Sequence, residues 1–143
     1  MKRVEHSGFT LIEMMIVIAI IAILMAFIIP AYAKSRFQAN LSACKQNVRN
    51  IATAIESYAA DNGGKLPVNL RTLTQHSHPY IGDIPKCPVA GNSFVYESGY
   101  EHIDNPDVYT ICCLGNYHTD YGLPPNTPLY APSIGLVEQL PEE

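Results

Sequence analysis

Two groups of residues in this 143-residue chain could do chemistry. The first centres on Glu13, the one ionisable residue in an apolar run from Phe9 to Ile29 that ends at Pro30. A charged side chain at the centre of a membrane helix costs about 2.5–3.5 kcal/mol on insertion scales, and less near an end. Glu13 therefore asks for a partner. Were the chain cut between Gly8 and Phe9, the new amine of Phe9 would carry a positive charge one helical turn away. In an array of copies it could reach the Glu13 of a neighbour instead, and pairing would neutralise two charges that lipid disfavours separately. Uncut chains lack that amine, so cutting would gate assembly.

The second group is Cys44, Cys87, Cys112 and Cys113. Four cysteines allow three connectivities. Cys112 and Cys113 are neighbours on an expected strand, so their side chains point to opposite faces and a bond between them would be strained. Two pairings remain, of which Cys87 with Cys113 and Cys44 with Cys112 is the favoured one. A bridge closing the 87–113 loop would contribute about 3–4 kcal/mol on the loop-entropy model. Four thiolates around zinc are not expected, because only Cys112 and Cys113 are close and they lack C-x-x-C spacing. Of the histidines, His76 and His78 could clamp a metal, with His118 and Asp120 assisting, but histidines in polar loops are usually just solvated. No metal is therefore assigned. Catalysis is not expected either: there is no nucleophile elbow, no phosphate-cradling glycine loop and no HExxH.

The elements that must position these residues follow from periodicity. Phe9 to Ile29 would make about 31 Å of helix, enough for a hydrocarbon core of about 30 Å. Lys2 and Arg3 ahead of it put the amino terminus on the cytoplasmic side. Beyond Pro30 the helix continues, with a kink or loosened turn where proline cannot bond the Ala26 carbonyl. Phe37, Leu41, Cys44, Val48, Ile51, Ile55 and Tyr58 then form one apolar stripe, suited to lying under a sheet. Asp61-Asn62-Gly63-Gly64 ends the helix. Residues 65–92 read as a loop with one helical turn near Asn69–Gln75. Ser93–Ser98 and Asp107–Leu114, rich in β-branched and aromatic residues, read as antiparallel strands. The tail from Tyr117, with five prolines, reads as an ordered loop on the sheet and not as further strands.

The formal net charge is −4. Removal of residues 1–8 leaves seven basic against twelve acidic residues, and all seven basic ones lie between Lys34 and Lys86. From Cys87 onward there are eight acidic residues and no Lys or Arg. Nucleic-acid surfaces need clustered cations, so no nucleic-acid partner is expected. The segregation suits either contacts between basic and acidic parts of neighbouring copies or a simply solvated face.

Gly8-Phe9-Thr10-Leu11-Ile12-Glu13, after a short basic leader and before a long apolar helix, closely resembles the signature of type IV pilins and pseudopilins. The resemblance covers about the first 35 residues. It implies removal of residues 1–8 by a prepilin peptidase, N-methylation of Phe9, and a transmembrane and filament-core helix over residues 9–30. Residues 31–143 would form a periplasmic or extracellular globular domain. Pro30 would be a site of filament flexibility, and an oxidising compartment would favour disulfides. Assembly would give a homo-oligomeric helical filament built from the inner membrane by a pilus or type II secretion platform. The stretch from Tyr58 to Pro67, and Ile84-Pro85-Lys86-Cys87-Pro88, also resemble type II secretion major pseudopilins. Those proteins bind calcium in a loop beside the sheet, and Asp104, Asn105, Asp107 and Asp120 offer suitable oxygens, though their spacing matches no defined loop.

Two plainer readings explain less. Ala31-Tyr32-Ala33 could end a secretory signal peptide, but the apolar run exceeds the usual 7–15 residues and Glu13 would have no role in a discarded segment. A simple membrane anchor leaves Glu13 and the Gly8–Phe9 junction unexplained. The expectation is an α+β protein, a long N-terminal helix whose outer half packs beneath a small antiparallel sheet with a looped C-terminal cover. Its expected role is that of a filament subunit. The alternatives are the major pseudopilin of a type II secretion system and a filament-displayed adhesin or DNA-uptake component.

Overall fold

The computed structural model describes residues 8–75, 77–91, 95–104, 107–119 and 122–137. Its elements are α1 (Leu11–Asp61), α2 (Thr72–Gln75), α3 (Val95–Ser98), β1 (Tyr100–Asp104), β2 (Asp107–Cys112), β3 (Leu129–Ala131) and β4 (Gly135–Val137). The chain divides between Gln38 and Ala39 into two compact units.

The N-terminal unit holds the apolar part of α1. Its most apolar window has a mean hydropathy of 3.0 and none of it is buried, so the helix is long and apolar enough to cross a membrane. The helix runs unbroken through Pro30.

In the second unit α1 carries one buried stripe: Cys44, Val48, Ile51 and Ile55, with Ala52 and Ala54 beside it. That is the expected stripe, and its spacing of three and four is why one helical face is fully dry. Gly63, at φ +66°, turns the chain out of the helix, and the amide of Gly64 donates to the Ala59 carbonyl at 2.8 Å. The Asn69 side chain accepts from the amide of Thr72 at 3.1 Å and starts α2 where a helical turn is expected.

The sheet is a four-stranded antiparallel meander in the order β1-β2-β3-β4. Tyr109 and Ile111 of β2 face α1 and are buried. Tyr109 donates to Glu56 Oε1 at 3.2 Å, and Tyr130 of β3 donates to the same oxygen at 2.9 Å, so one helix carboxylate ties down two strands. Tyr130 pairs across the ladder with Ile111, an aromatic against a β-branched residue.

Two expectations for this region are corrected. Val95–Ser98 is helical, not part of a strand, while residues 93 and 94 lie outside the described residues. Val95 and the adjacent Tyr96 are both buried, which strand alternation would forbid on a one-sided sheet, so core burial overrides β propensity. The C-terminal segment is also not all loop, because β3 and β4 complete the sheet. Pro128 and Pro132 flank β3 and interrupt no ladder bond, so they bound the strand instead of breaking it.

Candidate functional site

Two sites emerge, one in each unit. At the start of α1, Thr10 and Glu13 form a reciprocal cap. The amide and hydroxyl of Thr10 donate to Glu13 Oε2 at 2.8 and 2.7 Å, and the Glu13 amide donates to Thr10 Oγ1 at 3.3 Å. Thr10 is the residue just before the helix and Glu13 its third helical residue, so orphan amide donors at the helix end are satisfied from both sides. The cap was available in the sequence as Thr-x-x-Glu ahead of an apolar run, and the expectation for Glu13 overlooked it. Within a single chain Glu13 is therefore already engaged. Gly8 and Phe9 precede the helix and are exposed.

The second site lies in the core of the globular unit. Cys44 on α1, Cys87 on the loop before α3, Cys113 just past β2 and His118 on the following loop bring their ligand atoms within 4.8 Å of one another. All four residues are at most 2 % exposed. Each is positioned by its own local bonds. Asn47 on α1 donates to the carbonyl of Lys86 at 3.1 Å, which draws the Cys87 loop against the helix. The amide of Cys113 donates to the Pro128 carbonyl at 3.1 Å. Past it, the amide of Gly115 donates to the Asn126 side chain at 2.8 Å and the amide of Asn126 returns to the Gly115 carbonyl at 2.9 Å. Gly115 sits at φ +119°, and a Cβ there would lie 2.8 Å from the Tyr117 ring, so the turn that delivers His118 needs glycine.

The imidazole Nε2 of His118 lies 3.7 Å from Cys87 Sγ, and its buried Nδ1 has no hydrogen-bond partner among the described residues. Tyr96 donates to Cys44 Sγ at 3.0 Å. Hydrogen bonds from Cys113 and Cys44, helped by His118 and the Ala90 amide, hold the Cys87 thiol far below its usual range. Cys44 is drawn down by Cys113 but pushed up more by Cys87 and by burial, to about 12. Bonds to Cys44 and Cys87, with burial, push Cys113 up. The cluster thus favours thiolate at Cys87 first.

The expected pairing of Cys44 with Cys112 does not hold. All four thiols are free, and Cys112 lies on the face away from the cluster, where its Sγ abuts Gly99. Cys112 and Cys113 do point to opposite faces, but that alternation sends Cys113, not Cys112, to Cys44. His118 is likewise not a solvated loop histidine. Its signal in the sequence was the short Cys113-x4-His118 spacing. His78 lies apart, lining a shallow pocket with Asp61, Asn62 and Tyr80. His76, Asn105 and Asp120 lie outside the described residues, as do the side chains of Asp104 and Asp107, and with them the calcium expectation.

Residues 5–29 match the prokaryotic N-terminal methylation motif. The competence protein ComGC of Halalkalibacterium halodurans is 36 % identical over 80 residues, covering 54 % of this chain and 78 % of that protein. The chain belongs to the type IV pilin and pseudopilin family. This pilin-family chain is also 40 % identical over 62 residues to the type II secretion system core protein G of Pseudomonas aeruginosa, covering 43 % of the chain and only 44 % of that protein. Against the corresponding Vibrio cholerae core protein G the identity is 27 % over 122 residues, 77 % of the chain and 82 % of that protein. No solved structure matches the chain.

Proposed function

We propose that this chain is a structural subunit of a type IV pilus-like filament, freed from its leader between Gly8 and Phe9 and assembled through α1. The observation that carries the reading is the exposed apolar stretch of α1 with a carboxylate in its first turn. Lipid covers that surface before assembly, and the helices of neighbouring copies cover it afterwards. Glu13 holds the helix end through Thr10 in the single chain. In the filament it meets the Phe9 amine of an adjacent copy, which an uncut chain does not offer. The amino terminus is cytoplasmic before cutting, the globular unit lies on the far side of the inner membrane, and a prepilin peptidase and methyltransferase act on Phe9. The chain serves assembly and catalyses nothing itself.

A second reading, the major pseudopilin of a type II secretion system, draws support from the Vibrio cholerae core protein G, whose likeness extends beyond the helix. Sheared cell surfaces separate the two: long fibres containing this chain favour a pilus, and their absence a periplasmic filament.

The test is the mass of the amino-terminal peptide together with filament yield. The mature chain is expected to begin at methylated Phe9. Glu13→Val is expected to insert and be cut normally but to yield few filaments. A mature start at Lys34 would contradict the assignment, and normal filament yield from Glu13→Val would remove the pairing argument.

A further inference from the structure

The geometry points to a structural zinc site formed by Cys44, Cys87, Cys113 and His118, which joins α1 to the end of β2 and to the two loops beside it. Three sulfurs and one imidazole are a common structural zinc set, and zinc binds such ligands tetrahedrally. With bonds of roughly 2.3 Å to sulfur and 2.05 Å to nitrogen, a tetrahedron sets ligand atoms about 3.6–3.8 Å apart. The Nε2 of His118 lies 3.7 Å from Cys87 Sγ, and all four ligand atoms fall within 4.8 Å of one another. The site needs only small side-chain adjustments to close on an ion.

The surroundings also fit. Zinc with three thiolates and a neutral imidazole carries one net negative charge, and buried sulfur of that kind is stabilised by donors aimed at it. The Tyr96 hydroxyl donates to Cys44 and the Ala90 amide to Cys87. A disulfide accounts for less. It would use two of the three sulfurs and leave one thiol and a fully buried imidazole without a role. Burying an imidazole whose one partner among the described residues is a thiol is unfavourable, and bonding to a metal supplies the missing interaction. Zinc has no redox chemistry of its own, so ligation would also keep these thiolates from bridging in an oxidising compartment. The globular unit is small, and a metal that ties Cys44, Cys87 and the Cys113–His118 stretch together suits it as a disulfide would.

The experiment uses the full-length chain purified in detergent. Elemental analysis is expected to find one zinc per chain. Cobalt exchanged for zinc is expected to give the d–d absorption of a tetrahedral ion together with thiolate-to-cobalt charge transfer. Cys112→Ser is expected to keep one zinc, whereas Cys113→Ser and His118→Ala lose it. The cobalt spectrum of the unmutated chain guards against variants that merely fail to fold. A zinc-free native chain, with these thiols either free or bridged to each other, overturns the proposal. So does cobalt without tetrahedral thiolate bands, or a Cys112→Ser chain that has lost its zinc but kept its fold.

Discussion

At the scale of single residues, the two sites show opposite answers to the problem of a polar group in apolar surroundings. Glu13 stands at the exposed start of α1 and is held there by Thr10, whereas the cysteine cluster is closed off inside the core. Tyr109 lies between these extremes. Burial first, and the nearby Glu56 charge second, raise its hydroxyl above the ordinary value of about 10. The unfolded chain then gives up this proton at lower pH than the folded one. Stability from this group is fully present below pH about 10 and is lost as pH rises past it, because the unfolded state binds fewer protons there. Tyr109→Phe is expected to flatten the alkaline limb of a stability-versus-pH curve by one proton. It should also lower stability at neutral pH by about 1 kcal/mol, through the lost bond to Glu56. Denaturant unfolding at several pH values measures both effects, and an unchanged alkaline slope would show that Tyr109 is not the titrating group.

At the scale of elements, α1 was legible because its signal is long and redundant: a 21-residue run that is apolar apart from Thr10 and Glu13, then a stripe at three-and-four spacing that burial reproduces from Cys44 to Ile55. β2 was legible because Val108, Tyr109, Thr110 and Ile111 form an unbroken run of β-branched and aromatic residues. α3, β3 and β4 were not. Each is three or four residues long, and at that length tertiary contacts outweigh propensity. β1 escaped notice because Glu101, His102 and Asp104 look like loop residues, and only its ladder with β2 makes it a strand. The metal-ligand set was hidden for another reason. Cys113 and His118 share one short stretch, but Cys44 and Cys87 come from two others far away in the sequence, and no local spacing reports that all four meet. The part of α1 that supports the sheet can be tested directly. Ile51 is fully buried, so Ile51→Ala should cost about 2–5 kcal/mol. Ile16→Ala, at a site 54 % exposed in the single chain, should leave the globular unit's unfolding unchanged. Thermal denaturation followed by near-UV circular dichroism distinguishes the two, and equal losses would contradict the separate roles given to the halves of the helix.

At the scale of the whole molecule, one helix serves two solvents. Its apolar half is exposed and long and apolar enough to cross a membrane, and its other half carries the stripe buried in the folded domain. Pro30 falls in the apolar half, in the span between Glu13 and the buried stripe, and it bears on how such a chain bends when assembled. The ring has no amide to donate, so the Ala26 carbonyl loses its helical partner, and in apolar surroundings an unpaired carbonyl cannot turn to water. A proline inside a helix costs about 3 kcal/mol relative to alanine, and we propose on that ground that α1 bends most readily around residues 26–30. Pro30→Ala restores the bond and removes that softness without altering Gly8, Phe9 or Glu13. Cutting and membrane insertion are therefore expected to be normal, while filaments bend less. Persistence lengths from electron micrographs of mutant and parent filaments check this: a longer value in the mutant places the flexibility at Pro30, and an unchanged one moves it to the contacts between subunits.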